Sequence, residues 1–140
     1  MFEVRELRKA FGRNVVLNGL DLDIFTGEVV TIIGESGSGK SILLKVMMGL
    51  LEVDAGSIRF DGEEVTGQTE REWTQTRRRI GMLFQESALF DSLSVFDNVA
   101  YALHEQTTMS DEEVAKRVEE TLALVGLPGI EAMSPADLSG

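Results

Sequence analysis

One short segment constrains the fold of this chain more than any other, because a β-branched run stops abruptly at glycines and continues as an apolar stretch. Residues 28–33 read EVVTII without alternation, which is typical of a strand covered on both faces in a sheet flanked by helices. Residues 34–41 read GESGSGKS, and residues 41–51 are apolar on nearly all sides, which predicts a helix buried in a core. Strand, glycine loop and helix in this order predict an α/β fold.

The glycine segment fits the pattern G-x-x-x-x-G-K-[ST] of the phosphate-binding P-loop. Between a strand and a helix, the backbone N–H groups of such a loop converge on phosphate oxygens, and the helix start adds about half a positive charge. Lys40 can reach the β- and γ-phosphates, and the Ser41 hydroxyl can ligate Mg²⁺. We therefore predict a site for a nucleoside triphosphate. The alternative is a glycine-rich strand-to-helix turn that binds nothing.

Composition and charge narrow the class of protein. The 140 residues hold no cysteine and one histidine, which leaves neither a disulfide framework nor a thiolate metal site. No apolar stretch approaches the roughly 20 residues that a membrane span needs, and the N-terminus MFEVREL lacks the apolar core of a signal peptide, so we expect a cytoplasmic protein. The net charge of −11 falls mostly on residues 81–140, which hold 2 basic and 11 acidic side chains, so we expect no nucleic-acid partner.

The pattern along the chain predicts a sheet-bearing first part and a helical second part. Four further short strands are predicted, the first of them at a sheet edge: 2–7, 15–24, 57–61 and 80–84. A polar helix is predicted over 70–79, and its arginine run 77–79 is expected to be a solvated helix end. We therefore divide the chain into a sheet-bearing core portion with the P-loop, 1–85, and an α-helical subdomain, 86–140.

The helical part carries two sequence signatures of helix starts. Ser94 with Asp97 and Ser110 with Glu113 have the spacing of capping boxes, in which a hydroxyl and a carboxylate satisfy free amides. An apolar helix face closed by Gly126 is predicted from Val114, Val118, Leu122 and Val125.

Three further features stand around the P-loop in a fixed order: Phe11 before it, Gln85 at the end of a predicted strand after it, and Leu138-Ser139-Gly140 after the helical segment. This ordered set resembles the nucleotide-binding domain of the ATP-binding cassette (ABC) family. The resemblance implies that Phe11 stacks on adenine, that Gln85 contacts Mg²⁺ and the attacking water, and that the last three residues begin a signature motif. Taken alone, Phe11 is at least as well explained as a core or edge aromatic, and Gln85 as a polar strand end.

The resemblance also implies a full set of site residues with ATP and Mg²⁺ as cofactors. Lys40 and Gln85 are the expected catalytic residues, and Ser41 and Gln85 are the expected metal ligands. The expected ATP contacts are Phe11, Val16, Gly34, Glu35, Ser36, Gly37, Ser38, Gly39, Lys40, Ser41 and Ile42. The expected contacts with the ATP of a partner subunit are Leu138, Ser139 and Gly140.

A finer resemblance lies in residues 80–99, IGMLFQESALFDSLSVFDNV, taken together with GESGSGKS. These segments look like the ATPase subunit of the maintenance-of-lipid-asymmetry (Mla) transporters, which work with an integral membrane permease and a lipid-binding substrate protein. The resemblance implies phospholipid transport, with this subunit peripheral on the cytoplasmic face of the inner (plasma) membrane. Amino-acid importers share much of the same layout.

In such transporters the helical part that follows the glutamine docks on the permease, which implies a permease contact in residues 86–103. The docking candidates are Leu89, Phe90, Leu93, Val95 and Phe96. The alternative, weighted equally, is that most of these side chains form the core of the helical part.

Several features of the ABC family have no counterpart in this sequence. There is no second signature glycine or glutamine, no apolar strand ending in Asp-Glu, and no later histidine. In that family the strand ending in Asp-Glu holds Mg²⁺ and polarises the attacking water. Because catalysis of phosphoryl transfer depends on positioning and charge stabilisation of this kind, we expect little ATP hydrolysis from these 140 residues alone. We therefore expect a truncated, N-terminal portion of an ABC ATPase whose complete form closes head to tail with a second ATPase subunit.

Two other functions stay open from the sequence. The chain could be a non-catalytic nucleotide-binding or interaction module that binds ATP without using it. It could also belong to a chromosome-maintenance ATPase, but the short separation of Gln85 and Leu138, without sustained heptads, disfavours the long coiled coil of that class.

Overall fold

Four antiparallel strands form a sheet in the first part of the chain. The computed structural model describes residues 1–84 and 88–138. The strands stand in the spatial order β2-β1-β3-β4. Their bounds are β1 (Phe2–Phe11), β2 (Asn14–Ile24), β3 (Ala55–Phe60) and β4 (Glu63–Glu64). The predicted strands at 15–24 and 57–61 are confirmed with small changes of boundary.

β1 lies in the middle of this sheet, so the predicted edge strand at 2–7 is wrong. It runs for 10 residues and pairs with β2 on one side and with β3 on the other. Val4 and Leu7 are 0% exposed because their side chains pack into the core on one face of the sheet. Both ladders shift register near Glu6, which adopts a φ of 48° and donates its N–H to Asp21. Such a bulge bends the strand and increases its twist.

Two helices pack their apolar sides into the core of this first part. α1 spans Lys40–Met47 and α2 spans Glu70–Arg77. Leu44 on α1 is 46% exposed, so the expectation of a helix buried on all sides is wrong. The core that the helices share with the sheet consists of Val4, Leu7, Leu17, Leu43, Val46, Met47, Ile58, Phe60, Val65 and Trp73.

Arg77 joins α2 to the C-terminal end of α1. Its Nε donates to the Met48 carbonyl at 3.0 Å, and its NH1 pairs with Glu70 at 2.7 Å. The same guanidinium lies 5.8 Å from the ring centroid of Trp73. Since the last carbonyls of a helix carry a partial negative charge, this cation stabilises the end of α1. Arg77 is therefore not the solvated residue that the arginine run predicts.

Residues 28–33 and 80–84 are not strands, contrary to the prediction. Neither segment is part of the four-stranded sheet in the described part of the chain. Val29 and Ile33 are 92% and 90% exposed, and Leu83 is 96% exposed. A strand forms only where a neighbouring strand supplies ladder hydrogen bonds, and in a parallel sheet that neighbour is distant in sequence. The apolar pattern therefore indicates residues that are suited to burial, but it does not by itself determine that they form a strand.

The chain divides into two compact units, Met1–Met82 and Leu83–Gly140, each with its own hydrophobic core. The predicted boundary after Gln85 falls outside the described residues and stays a prediction. Of the helices in the described part of the chain, none combines the length and the apolar character needed to cross a bilayer.

Two helices and a short 3₁₀ turn form the second unit. α3 spans Val95–Gln106 and α4 spans Asp111–Leu124, and both predicted capping boxes are confirmed at their starts. The 3₁₀ turn spans Pro135–Asp137. Val125 is 66% exposed, so the buried face of α4 ends one turn earlier than predicted. The core of this unit consists of Val95, Ala100, Val114, Val118 and Leu122.

The start of α3 is hydrogen-bonded to the segment that leads toward Leu138. Val95 N–H donates to the Met133 carbonyl and Phe96 N–H donates to the Glu131 carbonyl, each at 2.9 Å. The first amides of a helix have no partner within the helix, so these carbonyls satisfy groups that would otherwise need water. The bonds fix residues 131–133 against the first turn of α3.

Candidate nucleotide-binding site

The start of α1 differs from the starts of the three other α-helices in the described residues. α2, α3 and α4 each begin with a capping box, whereas α1 begins at Gly39 without any side-chain cap. The first amides of a helix have no intrahelical partner, and together they carry about half a positive charge. The uncapped end of α1 can therefore accept an anion.

Lys40 places a full positive charge at the same end of α1. Its Nζ donates to the Gly34 carbonyl at 2.8 Å and to the Glu35 carbonyl at 2.7 Å. A weaker contact joins the same Nζ to Ser38 Oγ at 3.4 Å. These hydrogen bonds link the Lys40 side chain at the end of the glycine loop back to the carbonyls at its beginning. Charge and amides lie on one loop, as a polyphosphate ligand requires.

Two glycines of the loop are required for different physical reasons. Gly39 has a φ of 94° and is buried, and a Cβ on it would lie 2.7 Å from Val16 Cγ1. Gly37 has a φ of 82°, but a Cβ on it would meet nothing within 4 Å. Gly39 therefore needs both its backbone conformation and its close approach to β2, whereas Gly37 needs the conformation alone.

The contact at Gly39 connects the loop to the strand pair that carries Phe11. Val16 is half-buried against Gly39, and Phe11 pairs with Asn14 two residues along β2. From strand spacings, the Cα atoms of Val16 and Phe11 are about 8 Å apart. The Phe11 side chain is 47% exposed, which excludes a core position. An exposed aromatic residue therefore lies on β1, next to β2, the strand that Gly39 of the loop contacts.

The other expected ATP contacts fall into exposed and packed groups. Glu35, Ser36 and Ser41 are exposed, whereas Ile42 packs against the core and can reach a ligand only through its backbone N–H. In residues 1–84 and 88–138, no group of three or more His, Asp or Glu side chains could hold a metal ion. Mg²⁺ at this loop would take the Ser41 hydroxyl together with phosphate oxygens, a donor set that suits this cation.

Gln85, Ser139 and Gly140 lie outside the described residues, so their expected roles stay predictions. Leu138 is described, and its side chain packs against the core of the second unit.

The five docking candidates separate into two groups. Val95 is 6% exposed and Phe96 packs against the same core, so the alternative of a core role holds for them. Leu89 and Phe90 are 43% and 50% exposed, and Leu93 is half-buried.

Tyr101 belongs to the exposed group as well, although the sequence does not predict a docking role for it. It is 48% exposed, and its ring centroid lies 5.1 Å from that of Phe90. Asn98 fixes this arrangement, because its Oδ1 accepts the Phe90 N–H at 2.8 Å and its Nδ2 donates to the Phe90 carbonyl at 3.1 Å. The only sequence signal for Tyr101 is an aromatic residue off the apolar face of α3.

Comparison with known proteins gives matches over nearly the whole chain. Protein TRIGALACTOSYLDIACYLGLYCEROL 3, chloroplastic, from Arabidopsis thaliana is 44% identical over 140 residues, which are 100% of this chain and 40% of that protein. The intermembrane phospholipid transport system ATP-binding protein MlaF of Haemophilus influenzae is 39% identical over 140 residues, 100% of this chain and 53% of that protein. The chain thus spans about half or less of these curated relatives.

The solved structures agree with this result. The dimeric, post-hydrolysis ATP-binding cassette MJ0796 bound to ADP and Pi matches with a TM-score of 0.89 and 31% identity, over 99% of this chain and 63% of that one. Other relatives of similar identity have names that refer to ribonucleotide transport, spermidine/putrescine import and sulfate/thiosulfate import. The expected fold is confirmed: a P-loop core portion with N-terminal antiparallel strands and helices, covering part of an ABC cassette. The family model for ABC transporters matches residues 17–140, and the chain belongs to this family.

Proposed function

We propose that this chain is the nucleotide-binding portion of an ABC transporter ATPase and that it binds ATP with Mg²⁺ at the loop before α1. One observation carries the proposal: the Lys40 ammonium and the uncapped start of α1 converge on one glycine loop. An ammonium ion and oriented amides together neutralise a polyphosphate in a way that a plain strand-to-helix turn does not.

In the complete protein, binding and hydrolysis of ATP would drive transport by closing two subunits head to tail. Lys40 would hold the β- and γ-phosphates, and Ser41 and Gln85 would hold Mg²⁺. Leu138, Ser139 and Gly140 would begin the motif that faces the ATP of the other subunit. For the 140 residues alone we propose ATP binding with little turnover.

A phospholipid is the substrate class that we propose for the complete transporter. The support is the resemblance of residues 80–99 to the Mla ATPases and the name of one relative, the intermembrane phospholipid transport protein MlaF. Relatives of similar identity named for polyamine and sulfate import support the broader class of transporters only. The lipid proposal brings with it an integral permease and a lipid-binding substrate protein as partners, with this subunit on the cytoplasmic face of the inner membrane.

We propose the permease contact at the exposed aromatic pair of the second unit. Phe90 and Tyr101 present two adjacent rings, and the Asn98 side chain holds the backbone of the first. Aromatic side chains such as Phe and Tyr are enriched at protein interfaces, and Tyr is also enriched among the residues that contribute most binding energy. In the complete protein, Phe90→Ala is expected to reduce co-purification with the permease, whereas Leu124→Ala, which truncates an exposed side chain of the same unit, is the control. Equal co-purification of the two variants would contradict this contact.

The test of ATP binding compares two lysines of α1. Lys40→Ala is expected to weaken ATP binding by a factor of about 10 to 150, because a hydrogen bond to a charged group contributes ~1.5–3 kcal/mol. Lys45→Ala, in the last turn of the same helix, is expected to leave the affinity unchanged. Isothermal titration calorimetry with Mg²⁺ and ATP measures both. Unchanged binding by Lys40→Ala would refute the site.

A turnover assay addresses the second candidate function, a module that binds ATP without using it. Phosphate release by the 140-residue protein is expected to stay near the background rate in the presence of Mg²⁺. Robust release that depends on Mg²⁺ would show that these residues hydrolyse ATP by themselves and would overturn the proposal of little turnover.

A further inference from the structure

Asp54 continues the pairing of β1 beyond the end of its neighbouring strand. β3 begins at Ala55, which is the partner of Arg8 in the ladder. Asp54 N–H donates to the Arg8 carbonyl at 3.0 Å, and Ala10 N–H donates to Asp54 Oδ2 at 2.6 Å. The carboxylate thus takes the place of a strand carbonyl for the last part of β1. These bonds fix the backbone on the N-terminal side of Phe11.

The other oxygen of the same carboxylate holds Lys9. Lys9 Nζ lies 2.9 Å from Asp54 Oδ1, and the Lys9 side chain is only 14% exposed. The same Nζ lies 5.5 Å from the centroid of the Phe11 ring. One cation therefore bridges the carboxylate and the aromatic ring. Within this range a cation is attracted to the face of an aromatic ring, which restricts the ring's orientation.

Phe11 lies at the exposed end of β1. Phe11 is 47% exposed, and the residue that follows, Gly12, has a φ of 62° in the turn to β2. Rotation about the Cα–Cβ bond leaves a side chain a choice of staggered rotamers, and contacts with neighbouring groups select among them. Among the described contacts of the ring, the Lys9 cation is the one with a charge.

We propose that Lys9 and Asp54 are positioning residues for a base-stacking platform, holding Phe11 so that an uncovered ring face can stack on the purine of a bound nucleotide. This inference rests on the proposed nucleotide site and deepens it. A ring that is oriented before binding loses less freedom when the base arrives, so pre-organisation appears as affinity for the base and not for the phosphates.

The test separates the base from the phosphates by using two ligands, ATP and inorganic tripolyphosphate, which has no base. Asp54→Ala is expected to weaken ATP binding about tenfold and to leave tripolyphosphate binding within twofold of the parent protein. Lys9→Met is expected to behave in the same way, whereas Lys9→Arg keeps the cation and the affinity. Lys40→Ala is expected to weaken both ligands.

Asp61→Ala is the matched control. Asp61 follows β3 at the other end of the same sheet, is ion-paired with Arg79 and has a side chain 41% exposed, against 45% for Asp54. It should lower thermal stability to a similar extent and change neither affinity. A melting curve for every variant establishes that the protein remains folded at the temperature of titration.

A double-mutant cycle shows whether Asp54 acts through the ring. In a Phe11→Ala background, Asp54→Ala is expected to have no further effect on ATP affinity. The inference is overturned if Asp54→Ala binds ATP as the parent does, if it loses tripolyphosphate equally, or if its effect persists without Phe11. If the parent protein binds neither ligand, the proposed nucleotide site is refuted, and the inference that rests on it is refuted as well. If Lys40→Ala weakens both ligands but Asp54→Ala does not selectively weaken ATP, only the inference is refuted.

Discussion

The close approach of Gly39 to Val16 in the candidate site gives a prediction whose size can be worked out. Gly39→Ala forces a Cβ into a residue with a φ of 94° and places it 2.7 Å from Val16 Cγ1 and 3.3 Å from the Val16 carbonyl oxygen. The backbone strain costs ~1–2 kcal/mol, and overpacking adds ~1–3 kcal/mol. The expected loss of unfolding free energy is therefore ~2–5 kcal/mol, a large share of the ~5–15 kcal/mol typical of a domain.

Gly37→Ala is the control that isolates the backbone contribution. Its φ of 82° carries a similar strain, but its Cβ would meet nothing within 4 Å, so only ~1–2 kcal/mol is expected. Urea unfolding followed by emission of Trp73, the single tryptophan, 7% exposed in the same core, measures both variants. At a denaturant slope of ~2 kcal/mol/M, a difference of ~2 kcal/mol separates their midpoints by ~1 M.

A third variant tests the steric cause directly. Val16→Ala removes the Cγ1 that the new Cβ would meet, so the Gly39→Ala substitution should cost less in that background, where the backbone strain and the 3.3 Å contact with the carbonyl oxygen of residue 16 remain. If Gly39→Ala and Gly37→Ala shift the midpoint equally, or if Val16→Ala brings no relief, the reasoning from close approach is refuted.

Three other substitutions test the packing and the electrostatics. Leu7→Ala, at a position 0% exposed in the central strand, is expected to cost ~2–5 kcal/mol, measured by urea unfolding, whereas a cost under 1 kcal/mol would contradict its place in the core. Arg77→Lys keeps the charge but loses the planar guanidinium that reaches both the end of α1 and Glu70. The unfolding free energy is therefore expected to fall by ~1–2 kcal/mol, and an unchanged midpoint of urea unfolding would contradict this. The hydrogen bonds from Ser110 hold the pKa of Glu113 below its ordinary value of 4.5, so they stabilise α4 above that pH, and this contribution is lost as the pH falls through the lowered pKa. Glu113→Gln removes the titrating group, so helicity measured by circular dichroism should fall less steeply at acid pH. An unchanged acid branch would contradict this prediction.

Features that depend on neighbouring residues could be read from the sequence. The capping boxes at Ser94 and Ser110 have their partners three residues away, so spacing alone identifies them. The glycine loop before α1 is equally local. The family match over residues 17–140 supports the resemblance that these local motifs indicated.

Features that depend on distant partners could not be read in this way. The apolar run at 28–33 predicts a strand, but a strand needs ladder partners that can lie anywhere in a sequence, and no described strand pairs with it. β1 has the pattern of an edge strand, and its second neighbour, β3, comes more than forty residues later. The contact of Lys9 with Asp54 crosses the same sequence distance, so no local pattern identifies the support of Phe11. The roles of the individual ATP-binding residues stay predictions.

The separation of the two cores has a spectroscopic consequence. The chain has one tryptophan and one tyrosine, and they fall in different units: Trp73 is buried in the first core, and Tyr101 lies on α3 of the second unit. Each unit therefore carries its own intrinsic probe, so the loss of structure in each unit can be followed in one unlabelled sample. The difference between the melting midpoints reported by the two side chains measures how far the two units unfold independently of each other.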